Sequence, residues 1–592
     1  MSANFHGLPG SPGIGIGNAF IYQPKPVLLE TGHVPTRLPP SQEWQRFLEA
    51  HARVDVNLER LIHNTDALVS DILASHRTIL HDATVMNGIE AAIMQNQISA
   101  IDATQLVLNE IADTFRSMDD DYFAGRAADV LDIGNRLLGQ LGARKPLSSL
   151  INLPPQSILV AEDLTLSDII ELPARQVCGI ALAHSAPTAH AAILARSREI
   201  PLVCAVGESI FELRNGQPII VDGNLGQLLA SPSEQQLRHY SNSHTYLLQQ
   251  RKLANALAYQ PAVTLDGQPI SVCANVNNHD NAVQAAQGGA DGIGLLRTEF
   301  FFINHETFPD VAAHAELLIE IYDLMQPGHP ENTAHETGSD PAIIKPLTFR
   351  ALDLGGDKPV RFIPSPIEMN PSLGLRGIRL LLKRPELLRN HIAALLQMAA
   401  TWRRPLRFML PMISTIEELL EVQTHINELI PIVATEQSID AEELAQLLPT
   451  GVLVETPAAA LMIEQMATLV DFLSIGVNDL AQYILAVDRT NASVAAMADP
   501  LHPAMIKIMS HIGRAGRQAG IPVSICGEIA SDATAIPLLL GLGMNELSVT
   551  PAAVALVKQA VRQCNLLSCR QLAEQALKCQ NSRQVRELLM AL

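Results

Sequence analysis

From about residue 260 onward the chain repeats one arrangement: a short apolar run, a turn, then a helical pattern or a longer excursion. The runs are ISVCANV, GIGLLR, AIIKPLTF, LRFMLPM, GVLVE, FLSIG, PVSICG and ELSV, eight in all. Strands without polar alternation are buried on both faces and need helices around them, and eight such β/α units in series close a parallel sheet on itself. Residues 259–592 are therefore expected to form a (β/α)8 TIM barrel. The polar stretch 327–341, PGHPENTAHETGSDP, reads as a surface insertion within it.

At 592 residues the chain is too long for one core, and its first half has a different grain. Residues 1 to about 30 are rich in Gly and Pro with β-like pieces such as GIGIGNAFIY. Residues 36–145 carry apolar positions three and four apart and almost no proline, the pattern of a helical bundle. Short apolar runs return afterwards in SILVAEDL, VCGIALA, PLVCAV and PIIVDG. The reading is a β/α domain formed by 1–35 and 146–233, interrupted by the helical bundle at 36–145. A charged helix at 234–258 then links it to the barrel. The fold class is multidomain α/β.

A net charge of −20 argues against a nucleic-acid surface and leaves open an acidic face for a basic protein partner. Asp119, Asp120 and Asp121, in the helical segment, are such a run; a solvated face is the ordinary alternative. The seven cysteines form no CxxC pair, and their number is odd, so neither a disulfide framework nor a zinc site is expected. The start, MSANFHGLPGSPG, lacks the basic and apolar regions of a signal peptide, and no apolar run reaches the roughly 18 residues of a membrane span. A cytoplasmic protein without membrane insertion is expected.

Chemistry in such a barrel occupies the C-terminal ends of the strands. In this chain those ends carry Asn275 and Asn277, Arg297 and Glu299, Arg350 and Asp353, Glu455, Asn478 and Asp479, and Cys526 and Glu528, with Arg376 and Arg489 nearby. Arg forks match phosphate and carboxylate bidentately. Mg2+ needs few protein carboxylates and borrows ligands from a substrate phosphate, and Glu455 and Asp479 are the candidate pair. A substrate bearing both a phosphate and a carboxylate would use both features. Cys526 sits at a strand end beside Gly527, either open to the rim or buried as an ordinary core cysteine.

The stretch HSAPTAHAAILARS, residues 184–197, places His190 in the first turn of a helix that Thr188 can cap. Free N–H groups and the helix dipole favour an anion there. A neutral imidazole is a competent nucleophile near pH 7, and a phosphoryl group on its nitrogen would be such an anion. A capping or buried histidine is the bland alternative.

Taken together, SPGIGIGNAF, RAADVLDIGNRLL, TAHAAILARS, GIGLLRTEF, ALDLGGDK, NPSLGLRGIR, VETPAA, SIGVNDLAQY, AVDR and CGE resemble Enzyme I of the bacterial phosphotransferase system, the phosphoenolpyruvate–protein phosphotransferases. The resemblance runs along essentially the whole chain. It implies a swivelling phosphohistidine domain, an inserted helical domain that binds an HPr-like phosphocarrier, and a homodimer formed through the barrel. It further implies that His190 is phosphorylated and that Arg297, Arg350, Asn478, Asp479 and Arg489 bind phosphoenolpyruvate. Glu455 and Asp479 would hold Mg2+, Cys526 would protonate enolpyruvate, and the phosphate would enter sugar uptake. The family's glycines and serine before the histidine are absent: the chain reads Ser185-Ala186-Pro187-Thr188-Ala189-His190. Two other readings are a non-turnover regulatory or nitrogen-type paralogue and a pyruvate phosphate dikinase or phosphoenolpyruvate synthase relative. The second of these needs a large ATP-binding domain that the helical segment is too small to supply.

Overall fold

The computed structural model describes residues 3–22, 38–63, 67–117, 121–142, 153–165, 168–169, 172, 176–185, 190–198, 200–302, 307–325, 346–356, 362–363, 368, 370–489, 491 and 494–591. The chain divides into two compact units, Met1–Leu248 and Gln249–Leu592. The 327–341 insertion, Asp119, Asp120 and Thr188 lie outside the described residues.

The first unit is built on an eight-stranded sheet: β1 (Ala3–His6), β2 (Leu8–Ser11), β3 (Ile14–Tyr22), β4 (Ser157–Ala161), β5 (Val177–Leu182), β6 (Leu202–Cys204), β7 (Pro218–Asp222) and β8 (Gln227–Ala230). Their order is β1-β8-β7-β3-β4-β5-β6-β2. The first two strands take opposite ends of that order, and Gly7 is the one residue between them. Gly15 and Gly17 let β3 lie close to its neighbours, since a Cβ at either would sit 2.3 Å from the carbonyl oxygen of Cys178 or Gln156.

Among the described residues, five helices lie between β3 and β4: α1 (Pro40–His63), α2 (Ala67–Leu80), α3 (Ala83–Met94), α4 (Ala100–Ser117) and α5 (Asp121–Gln140). Phe47, Ala50, Val54 and Leu58, spaced three and four apart on α1, are almost wholly buried, as an amphipathic helix requires. Their apolar cluster runs on into the sheet through Leu159, Ala161 and Leu182 and into α6 (His190–Ser197) through Ala191, Ala192, Leu194 and Ala195. The helices and sheet thus share one core. After β8 comes α7 (Glu234–Ala256), largely exposed along its length with Ala254 as its one fully buried described residue.

In the second unit β9 (Ser271–Val276), β10 (Ile293–Arg297), β11 (Leu347–Arg350), β12 (Arg407–Leu410), β13 (Thr450–Val454), β14 (Phe472–Gly476), β15 (Val523–Cys526) and β16 (Glu546–Val549) form a closed barrel in sequential order. All eight pairings are parallel, the last joining β16 to β9. Each expected apolar run contributes one strand, as the doubly buried pattern required. Alternate residues point into the lumen: a buried cluster of Leu295, Met409, Leu453, Phe472 and Cys526 fills it, and the outward set packs against the surrounding helices.

Candidate active site

The lumen ends in a dense charged layer at the strands' C-terminal side. Arg350, the last residue of β11, is 4% exposed. Its Nη2 donates to Glu299 Oε1, and its Nη1 lies 3.5 Å from Asp353 Oδ2. Burial works against the Arg350 charge, but Glu299, Asp353, Glu455 and Asp479 outweigh it and push the guanidinium's pKa up. Arg376 donates to Asp353 from Nε at 3.2 Å and from Nη2 at 2.8 Å. Its Nη1 lies 3.8 Å from Asp479 Oδ1, which Arg489 Nη2 approaches to 3.3 Å.

Local backbone geometry brings these groups together. Gly355 has φ +88°, and a Cβ there would meet the Leu375 carbonyl at 2.2 Å, so only glycine lets this loop bridge to Arg376. Met412 adopts φ +60°, uncommon for a side chain of its size, and its N–H donates to Glu455 Oε1 at 2.6 Å. Glu455 is 1% exposed. Burial, then Asp479 and Asp353, push its carboxyl up to about 8.

Arg297 differs from the other arginines. Among the described residues no carboxylate lies within ion-pairing distance of it, and its Nε is buried without a hydrogen-bond partner. Burial and the neighbouring Arg350 both disfavour its charge. A cation held in this way at the lumen is chemically able to receive an anion.

Cys526 is not open to the rim. It faces the lumen at 5% exposure, because alternation along β15 points Ser524 and Cys526 inward. Burial pushes its thiol up to about 11, against the pull of Arg297. Ser474 Oγ lies 3.9 Å from Cys526 Sγ, and the thiol donates to the Ile475 carbonyl at 3.4 Å. Gly527, φ +116°, turns the chain beside Asn478, whose Oδ1 would be 3.2 Å from any Cβ there.

Of the expected residues, Arg350, Asp479 and Arg489 enter one ion-pair network. Glu455, Arg297 and Cys526 lie within its field, and Asn478 sits beside Gly527. Glu528 does not join them; it is exposed and opens a short 3-10 turn. Asn275 faces the lumen but is tied to Ser548, whose Oγ donates to Asn275 Oδ1 at 2.7 Å. His190 is the first residue of α6, and its side chain lies outside the described residues. Arg196, whose Nε donates to the Gly10 carbonyl at 2.6 Å, is engaged with β2. The pairing roles of Glu299, Asp353 and Arg376 were not assigned from sequence, because strand-end spacing shows which charges converge but not which arginine each carboxylate holds.

The chain matches three family models in succession: the N-terminal region of the PEP-utilising enzymes at residues 6–126, their mobile domain at 153–226 and their PEP-binding domain at 251–566. It is 30% identical over 594 residues to the phosphoenolpyruvate-protein phosphotransferase of Staphylococcus carnosus, covering 100% of this chain and 99% of that one. It is 31% identical to that of Bacillus subtilis, covering 98% of each. It is also 34% identical to a multiphosphoryl transfer protein of Rhodobacter capsulatus over 98% of this chain, which spans about two thirds of that longer protein (67%).

Proposed function

The chain belongs to the phosphoenolpyruvate–protein phosphotransferases, within the PEP-utilising enzymes, and from that premise we propose that it moves the phosphoryl group of phosphoenolpyruvate to His190 and then to a histidine of an HPr-like carrier. The observation that carries the reading is Arg297, a half-buried cation whose Nε is buried without a hydrogen-bond partner and which has no carboxylate in ion-pairing distance among the described residues, beside the Arg350, Arg376 and Arg489 network. Arg297, Arg350 and Arg489 bind the substrate's phosphate and carboxylate, with Asn478 and Asp479 completing the contacts.

Mg2+ fits Glu455 and Asp479. Asp479 Oδ1 is buried and accepts no hydrogen bond, and the Asp479 carboxylate raises the cost of ionising Glu455. No group of three or more His, Cys, Asp or Glu side chains that could hold a metal is found among the described residues. Two carboxylates completed by substrate oxygens and water suit magnesium in particular. When bound, the ion supplies charge stabilisation to the transferring phosphoryl oxygens.

His190 attacks phosphorus in line, and the bond from phosphorus to the enol oxygen breaks with its electron pair staying on that oxygen. Arg297 and Arg350 oppose the charge that develops. Cys526, protonated at neutral pH because burial raises its thiol, is the acid that delivers a proton to the methylene carbon as pyruvate forms. The helical segment 36–145 docks the carrier, the β/α domain of 1–35 and 146–233 carries His190, residues 234–258 link it to the barrel, and residues 259–592 form the phosphoenolpyruvate-binding and dimerising part. Sugar uptake in the cytoplasm is the pathway served. No described helix is long and apolar enough to cross a membrane.

The test is the intact mass of the protein before and after phosphoenolpyruvate and Mg2+, without nucleotide. One added phosphoryl group, lost in acid and kept in base, supports the reading; an unchanged mass refutes it.

A further inference from the structure

Three serines, Ser474, Ser524 and Ser548, project into the barrel lumen from β14, β15 and β16. Two of them are satisfied structurally: Ser524 Oγ donates to the Leu473 carbonyl at 3.3 Å and Ser548 Oγ to Asn275 Oδ1 at 2.7 Å. Ser474, fully buried, makes one hydrogen bond among the described residues, from its Oγ to Cys526 Sγ. The register fixes this contact, since Ser474 pairs with Ser524 and Gly476 with Cys526 across the β14–β15 ladder. Position 476 has no side chain to come between the thiol and the charged layer above it, where Glu455 packs against Gly476.

We propose that Ser474 is a positioning residue for proton delivery by Cys526: its hydroxyl holds the sulfur in place and takes up the charge that appears when the thiol gives its proton away. This deepens the reading of Cys526 as the acid and rests on it. In the step, the enolate oxygen's electron pair forms the C2 carbonyl and the C2–C3 π pair forms a bond to the proton. The S–H bond breaks and its pair remains on sulfur as thiolate. At 3.9 Å the Ser474 contact is loose for a neutral sulfur, and a thiolate draws the same O–H in as a charge-assisted bond. The thiol is regenerated by a proton from water that enters after pyruvate leaves. The alternative site for the thiol's hydrogen, the Ile475 carbonyl at 3.4 Å, cannot help the thiolate, because a carbonyl oxygen has no proton to donate.

The experiment compares Ser474→Ala and Cys526→Ala in the full-length protein. It reads steady-state pyruvate formation from phosphoenolpyruvate with Mg2+ and an HPr-like phosphocarrier as phosphoryl acceptor, and exchange of pyruvate's methyl hydrogens with deuterated water by the phosphorylated enzyme. Ser474→Ala removes one oxygen atom from a buried site, and its folding is checked by thermal unfolding. The expected result is that kcat and methyl exchange both fall about ten- to a hundredfold, the effect of one hydrogen bond to a charged group, while KM for phosphoenolpyruvate stays at the wild-type value. A Ser474→Ala protein that exchanges at the wild-type rate, or whose KM alone rises, overturns the inference. If Cys526→Ala also exchanges normally, the reading of Cys526 as the acid fails with it. If Cys526→Ala is silent while Ser474→Ala is normal, only the role of Ser474 is lost.

Discussion

Arg376 and Asp353 form a two-point ion pair that is almost completely shielded from water, Nε to Oδ1 at 3.2 Å and Nη2 to Oδ2 at 2.8 Å, with each residue 1% exposed. Removing one member of a buried pair strands the other. Arg376→Leu should therefore destabilise the barrel by about 3–5 kcal/mol. Denaturant unfolding followed by a barrel-specific signal checks this. A loss within experimental error of zero would mean that Asp353 finds another partner.

Arg297 and Arg350 should respond in opposite ways, because only Arg350 is paired. Arg350→Lys cannot reach both Glu299 and Asp353, so it should lose stability as well as about a hundredfold or more in kcat/KM. Arg297→Met gives up a charge that burial and Arg350 already oppose. It should keep or gain thermal stability while losing a comparable factor in kcat/KM, a trade of stability for function. Paired melting curves and phosphoenolpyruvate titrations decide; a destabilised Arg297→Met would show that the cation has a structural partner after all.

How much of this was readable from the chain depended on periodicity. The eight barrel strands stand out because each is buried on both faces and flanked by turn residues, so ISVCANV and ELSV declare themselves without their neighbours. For the run AIIKPLTF, the described strand is Leu347–Arg350, its last three residues and the arginine after it. Convergence of arginines and carboxylates was legible for the same reason: fold class alone sends strand ends to one rim. Pairing was not, since Asp353 and Arg376 meet through a loop held by Gly355 at positive φ. Ser474 could have been found by extending the alternation from Phe472 to Gly476, but the contact with Cys526 depends on the inter-strand register. The continuous core between the helical insert and the sheet also escaped notice, and it means that excising residues 36–145 would expose apolar surface such as Leu159 and Leu182.

Magnesium should stabilise the barrel through Glu455 and Asp479. At a hundred times its dissociation constant a ligand adds about 2.7 kcal/mol to stability, so the wild-type melting temperature should climb with Mg2+ concentration. Glu455→Gln should abolish that climb. A Glu455→Gln protein with an unchanged magnesium response would move the cation elsewhere.

His314 and His391 stack face to face behind the barrel, ring centroids 4.6 Å apart and 10° from parallel. Burial lowers His314 from 6.5 to about 4 and His391 well below its usual value. The folded state therefore keeps both rings neutral while the unfolded chain takes up protons below pH 6.5. Their contribution to stability is complete above pH 6.5 and is lost as pH falls from there through about 4, on the order of 3 kcal/mol for His314 alone. Melting temperatures between pH 7.5 and roughly 4.5 should fall in the wild type and fall less in His391→Phe. Parallel curves for the two proteins would contradict this.

The most direct test of the whole account is the mass of wild-type and His190→Ala proteins after incubation with phosphoenolpyruvate and Mg2+. The account predicts one acid-labile, base-stable phosphoryl group on the wild type and none on His190→Ala, with the variant's melting temperature unchanged. An acid-labile phosphoryl group on the His190→Ala protein, or none on the wild type, would contradict it.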